Sequence, residues 1–187
     1  MRVIGGTARS IRLVGPSSEG TRPLSDRARE SLFNILGDRV LDASVLDLYA
    51  GTGAVGVEAL SRGAGRVVLV ERDRVAADDI VENLARVGDD GRGELRTGEV
   101  FAYLRSPPVQ PFDVVFSGPP QWDDLWRTTL TAIDGAPGLL AADGIVVTQL
   151  DPSEDGADPP LTNLERRDTR TYGKVRLLFH VPIASTP

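Results

Sequence analysis

The chain is 187 residues long, 41% hydrophobic and 26% charged, which suits one domain with a buried core and is short for two. It holds no cysteine and one histidine, His180. Disulfides, thiol nucleophiles and cysteine metal sites are thereby excluded, and neither a histidine metal cluster nor a serine–histidine triad has the residues it needs. The net charge of −6 speaks against a protein that coats nucleic acid, although residues 1–29 carry six arginines against two acids, a net of +4 that leaves −10 for the remainder.

Taken in order, residues 3–4 and 11–14 read as the two short strands of a hairpin, and 15–20 as a loop of Gly, Pro and Ser. Ser25 or Asp26 then caps a helix whose Ala28, Leu32, Phe33 and Leu36 form an apolar face, ending near Gly37. From Val45 onward strands over 45–49, 66–71, 94–97, 112–117 and 144–150 alternate with helices over 54–62, 74–87, 100–104 and 123–133. Such alternation predicts an α/β fold, a mostly parallel sheet with helices on both faces. Residues 151–160, acidic and proline-rich, read as a solvated loop, and strands over 163–170 and 174–181 form a closing hairpin. In the last strand Val175, Leu177, Phe179 and Val181 alternate with Lys174, Arg176, Leu178 and His180, which places His180 on the strand's surface. There is no signal-like N-terminus and no run of 18 apolar residues, so a cytoplasmic location without membrane contact is expected.

The segment Val45-Leu46-Asp47-Leu48-Tyr49-Ala50-Gly51-Thr52-Gly53-Ala54-Val55-Gly56 reads as a buried strand, a glycine turn and a helix start. Gly51 and Gly53 permit a tight turn where backbone meets a ligand, and Gly56 lets the helix pack close to the sheet. Asp47 sets this turn apart. A carboxylate there would repel a pyrophosphate, but it suits a ligand bearing an ammonium group, such as S-adenosylmethionine. Glu71 ends the next strand 20 residues after Gly51, the separation at which an acid reaches ribose hydroxyls. The third strand leads to Glu99, a candidate for the adenine edge. The fourth ends at Ser117-Gly118-Pro119-Pro120-Gln121-Trp122, where chemistry is expected. A closing hairpin after five strand–helix units fits the seven-stranded sheet of class I methyltransferases better than that of a dinucleotide-binding dehydrogenase.

Two blocks carry a family resemblance: Arg22-Pro23-Leu24-Ser25-Asp26-Arg27-Ala28-Arg29-Glu30-Ser31-Leu32-Phe33-Asn34 and Tyr49-Ala50-Gly51-Thr52-Gly53-Ala54-Val55-Gly56-Val57-Glu58-Ala59-Leu60-Ser61-Arg62. They resemble signature blocks of the bacterial 16S ribosomal RNA guanine-N2 methyltransferases, as do the opening Arg2-Val3-Ile4-Gly5-Gly6 and the closing Tyr172-Gly173-Lys174-Val175. The resemblance spans nearly the whole chain. It implies a class I, Rossmann-like methyltransferase fold in one domain, with 1–40 as an RNA-binding hairpin and helix and 41–187 as a donor-binding, seven-stranded, mostly parallel sheet. It implies S-adenosylmethionine as donor and 16S rRNA, in the small ribosomal subunit or its precursor, as partner of a monomer. Asp47, Gly51 and Gly53 would hold the methionine end, Glu71 the ribose and Glu99 the adenine edge, with Tyr49, Arg72 and Val100 completing the pocket. The family usually carries Asp or Asn where Glu99 stands. Gly118, Pro119, Pro120, Ser117 and Trp122 would form the transfer site. The arginines of the basic arm, Arg9, Arg12, Arg22, Arg27 and Arg29, are expected on RNA phosphates.

One departure bears on activity. At the fourth strand end the family carries Asp or Asn, Pro, Pro, then Tyr or Phe, whereas this chain has Gly118, Pro119, Pro120 and Gln121. The usual acceptor and the neighbouring proline carbonyl hold the amino protons of guanine N2, a poor nucleophile, and the ring stacks on the extruded base. Gly118 offers no acceptor and Gln121 no ring. Ser117 comes one residue earlier, and alternation along the strand points it to the other face. Trp122 comes one later and offers a ring. Two further readings therefore stand beside the enzyme. One is a catalytically weakened or inactive homologue that docks on rRNA during ribosome assembly. The other is an NAD-dependent oxidoreductase, which keeps the turn and Glu71 but leaves the double proline, the basic arm and the closing hairpin without a role.

Overall fold

The structure, a computed structural model, describes residues 1–17, 24–106, 109–121, 124–136, 138–154 and 156–183. Apolar, β-branched segments form β1 (Ser44–Leu48), β2 (Arg66–Glu71), β3 (Gly93–Thr97), β4 (Phe112–Ser117) and β5 (Leu140–Leu150), joined in parallel. β6 (Leu164–Tyr172) and β7 (Val175–Pro182) close the sheet as an antiparallel hairpin, giving the order β3-β2-β1-β4-β5-β7-β6. The intervening helices are α1 (Asp26–Leu36), α2 (Ala54–Ser61), α3 (Arg74–Val87), α4 (Val100–Leu104) and α5 (Leu125–Asp134). Capping explains two starts: Ser25 Oγ accepts the Ala28 N–H at 3.3 Å and Asp73 Oδ1 the Ala76 N–H at 2.9 Å.

Strand alternation divides the core into two layers. Val45, Leu69, Phe116, Val147 and Phe179 pack against α1, α2 and α3, and residues Val3, Ala8 and Leu13 of the N-terminal arm join that cluster. Leu46, Leu48, Val68, Val115 and Val146 pack on the opposite face against Trp126 and Leu130 of α5 and Val100 of α4. Among the described residues no helix is long and apolar enough to cross a membrane.

Three expectations change. The N-terminal hairpin is present but short: one antiparallel bridge, Arg2 with Arg12, flanked by the Val3 N–H to Ile11 O and Leu13 N–H to Met1 O bonds, while side chains take the backbone groups beyond it. Glu58 accepts the N–H groups of Ile4 and Gly5, each at 2.8 Å, and Asn83 Oδ1 accepts that of Val14 at 2.8 Å. β5 starts at Leu140 rather than 144, since a register shift beside Phe112 and Val114 absorbs residues of low strand propensity. His180 is not a surface residue: it is fully buried, on the same side of β7 as Leu178, with Nε2 3.2 Å from Asp158 Oδ2. Asp158 also accepts from Arg166 Nε at 3.0 Å, so part of the acidic loop is fastened to the sheet. Burial lowers the His180 pKa against the opposing pull of Asp158.

Candidate active site

β1 lies between β2 and β4, where the direction of strand succession reverses, and a crevice at the carboxyl ends of these strands is the expected ligand position. The turn after β1 is built for close approach. Tyr49, Gly51 and Gly53 all have left-handed backbones, at φ 59°, 55° and 74°. For the tyrosine this conformation costs about 1–2 kcal/mol, and its hydroxyl is held 2.8 Å from Thr129 Oγ1. Burial pushes that hydroxyl's pKa up. A Cβ at Gly56 would stand 2.7 Å from Leu69 Cδ2 and 3.0 Å from Val67 Cγ1, so glycine is what lets α2 rest on β2.

Two acids organise the turn. Glu71 Oε2 accepts the Gly51 N–H and Oε1 the Asp73 N–H, both at 2.8 Å, which ties the turn to the end of β2. Asp47 is 1% exposed, and its Oδ2 accepts the Gly56 N–H at 2.9 Å. Burial pushes its carboxyl up to about 8, opposed by the Gly56 bond and reinforced by the charge of Glu71. Asp47 thus braces the turn from beneath. At the outer edge Arg72 Nη1 meets Glu99 Oε1 at 3.5 Å, both side chains largely exposed, while Val100 is buried as α4 begins.

The Pro-Pro strand end lies alongside. The Gly118 N–H donates to Leu48 O at 3.3 Å, one residue before the turn begins. Gly118 is half-buried, Pro119 buried and Pro120 exposed. Ser117 is fully buried with its hydroxyl unpaired among the described residues, and it pairs in register with Leu48 and Thr148. Leu48 belongs to the α5-side layer, so Ser117 faces away from the crevice, as alternation requires. A residue that sequence reasoning missed stands opposite Gly118. Gln149 Oε1 lies 3.7 Å from where a Cβ on Gly118 would be. The available signal was the shift from apolar to polar residues at Thr148-Gln149, where β5 reaches the carboxyl edge. Trp122 and Arg22 lie outside the described residues.

The arginine set divides. Arg9, Arg12 and Arg27 are exposed. Arg29 is not available to RNA: it is fully buried, donates to Arg2 O and to Asp26 Oδ1 at 3.0 Å, and is ion-paired with Glu58 Oε2 at 3.5 Å. Its position on α1 one turn before Phe33 points it inward with the apolar face.

Comparison with known proteins adds a family. The model of the family "Conserved hypothetical protein 95" matches residues 1–181. The Escherichia coli protein "Ribosomal RNA small subunit methyltransferase D" is 36% identical over 149 residues, 80% of this chain and 74% of that one. The protein of the same name from Haemophilus influenzae is 38% identical over 122 residues, 64% of this chain and 63% of that one. Among solved structures, yhhF of Escherichia coli, whose methyltransferase assignment is provisional by name, superposes with a TM-score of 0.84 at 31% identity, covering 99% of both chains. The sheet and its helices are the class I, Rossmann-like methyltransferase fold. The chain belongs to the conserved hypothetical protein 95 family, the family of these small-subunit ribosomal RNA methyltransferases.

Proposed function

We propose that this protein transfers a methyl group from S-adenosylmethionine to the exocyclic N2 of a guanine in 16S rRNA. The observation that carries the reading is the meeting of the glycine turn after β1 with a Pro-Pro strand end at the reversal point of the sheet, joined by the Gly118–Leu48 bond. The residues fit the donor. A carboxylate has about four acceptor sites; Glu71 uses two on backbone N–H groups and keeps the others for ribose hydroxyls. Gly51 and Gly53 leave backbone at the methionine end above Asp47, and Tyr49, Arg72, Glu99 and Val100 frame the adenine side. The donor, when bound, supplies an electrophilic methyl carbon on a sulfonium. The Pro119 carbonyl accepts one amino proton of the guanine and orients its nitrogen. The partner is the small ribosomal subunit or its precursor, met by a monomer in the cytoplasm. A docking protein without catalysis is not favoured, since relatives at this identity are named as methyltransferases; the same finding speaks against a nicotinamide enzyme. Incubation with labelled donor and small-subunit particles from cells lacking this methylation is expected to label the RNA. Unlabelled particles, accepted by another family member, would refute the assignment.

Asp47 gives a pH test. Its folded pKa, about 8, stands above the usual 3.8, so its contribution to stability is full below pH 3.8 and is lost as pH rises towards 8. An ammonium group above the turn favours the ionised form. Binding of S-adenosylhomocysteine at pH 7 is therefore expected to release a proton, and affinity to rise with pH up to about 8. Calorimetry in buffers of different ionisation enthalpy reads that proton. Release that is equal in Asp47→Asn would confine Asp47 to bracing the turn.

The exposed arginines give a second test. Replacing Arg9, Arg12 and Arg27 by glutamine is expected to weaken particle binding and to reduce the salt slope by about one per lost phosphate contact. Binding with an unchanged slope would make them a solvated surface only.

A further inference from the structure

We infer that Gln149 supplies, from β5, the side-chain acceptor that Gly118 lacks, its Oε1 receiving a hydrogen bond from the amino group of the target guanine; this rests on the methyl-transfer reading above. Register brings the two residues together. Ser117 pairs with Thr148, so the next residues, Gly118 and Gln149, stand opposite each other and share the strand faces of Phe116 and Val147. Distance supports the substitution. Gln149 Oε1 lies 3.7 Å from the position of a Cβ on residue 118. An Asp or Asn oxygen lies about 2.4 Å from its own Cβ, so the glutamine oxygen is only about an ångström farther from that point. That Cβ would also stand 3.2 Å from Phe116 Cε1, so glycine at 118 leaves room for the Gln149 amide beside the phenyl ring.

The state of the side chain is the independent sign. Gln149 is 8% exposed, and its amide makes no hydrogen bond among the described residues. The side chain is mostly packed while its amide stays within reach of solvent, so an entering base can take the bond that water otherwise makes. A glutamine also carries its acceptor one methylene farther out than an asparagine does, which suits reaching across from the adjacent strand.

In the reaction, guanine N2 forms its bond to the methyl carbon while the carbon–sulfur bond opens and its electron pair leaves on sulfur. N2 then gives one proton to water. The neutral amide of Gln149 takes no proton. By accepting the amino N–H it keeps the nitrogen lone pair directed out of the ring plane, the task of the family's Asp or Asn.

Gln149→Leu is expected to lower kcat by about 100- to 1,000-fold, with S-adenosylhomocysteine affinity and particle KM within about threefold of wild type. Placing Gly118→Asn in that background is expected to restore at least about tenfold of the loss. Gln149→Glu is expected to retain transfer while gaining a rise of kcat with pH, because only an ionised carboxyl accepts on both oxygens. Should the leucine variant not fold, Gln149→Met, of equal length, carries the same expectation. A wild-type protein that methylates particles together with a Gln149→Leu or Gln149→Met variant of unaltered kcat overturns this inference and leaves the function intact. A folded wild-type protein that binds S-adenosylhomocysteine but transfers no methyl group overturns both.

Discussion

Glu71→Ala is expected to weaken S-adenosylhomocysteine binding by about 100- to 10,000-fold, measured by calorimetry on protein whose circular dichroism is unchanged. Hydrogen bonds to a charged group contribute about 1.5–3 kcal/mol each. Two ribose hydroxyls on one carboxylate thus amount to about 3–6 kcal/mol, and each 1.4 kcal/mol is a factor of ten in affinity. The carboxylate also holds the Gly51 N–H at the tip of the turn and the Asp73 N–H at the start of α3, so its loss loosens the geometry that presents the backbone. Glu71→Gln keeps one acceptor and should fall between the two. Affinity within about threefold of wild type in the alanine variant would remove Glu71 from the donor site and leave it a turn anchor.

The second large effect is on stability. Arg29→Met is expected to destabilise the fold by about 3–5 kcal/mol, because it removes a fully buried guanidinium that pairs with Glu58 and Asp26 and donates to Arg2 O. For a chain of this size that corresponds to a fall in Tm of about 6–20 °C. Glu58 also accepts from Ile4 and Gly5 N–H and from Arg62 Nε at 2.8 Å, so the N-terminal arm should loosen first. Faster hydrogen exchange at residues 3–13 would report it. If Arg29 served RNA, the opposite pattern would be seen: unchanged Tm and weakened particle binding. The basic character of residues 1–29 therefore splits into a structural arginine and exposed ones, and only the exposed ones can carry the interaction.

The parts of the molecule legible in the sequence are those fixed by local chemistry. Ser25 ahead of an apolar face at 28, 32, 33 and 36 located α1, and the glycine spacing at 51, 53 and 56 located the turn and α2 to within a residue. The strand read over 112–117 and the helix read over 74–87 coincide with β4 and α3. What was not legible depends on partners distant in the chain. Glu58 and Asn83 take over the backbone of residues 4, 5 and 14, so a hairpin readable from its own residues stays short. His180 alternates correctly with the apolar positions of β7, but the loop carrying Asp158 covers the face it occupies. Gln149 carries only a weak local signal, because a polar residue at a strand end is common; its meaning comes from the neighbouring strand placing a glycine beside it. Asp47 and Glu71 were legible as a pair at two strand ends, but their present bonds to Gly56 and Gly51 show that both also build the turn.

The most direct test of the account is the chemical identity of the product. Small-subunit particles lacking the modification, incubated with this protein and methyl-labelled donor, are digested to nucleosides and separated by mass. N2-methylguanosine is expected, at about one per particle and from a single sequence context, as for an enzyme that acts on one extruded base. Label found in another nucleoside, or none at all in particles that a relative with the usual strand-end residues does modify, would contradict it.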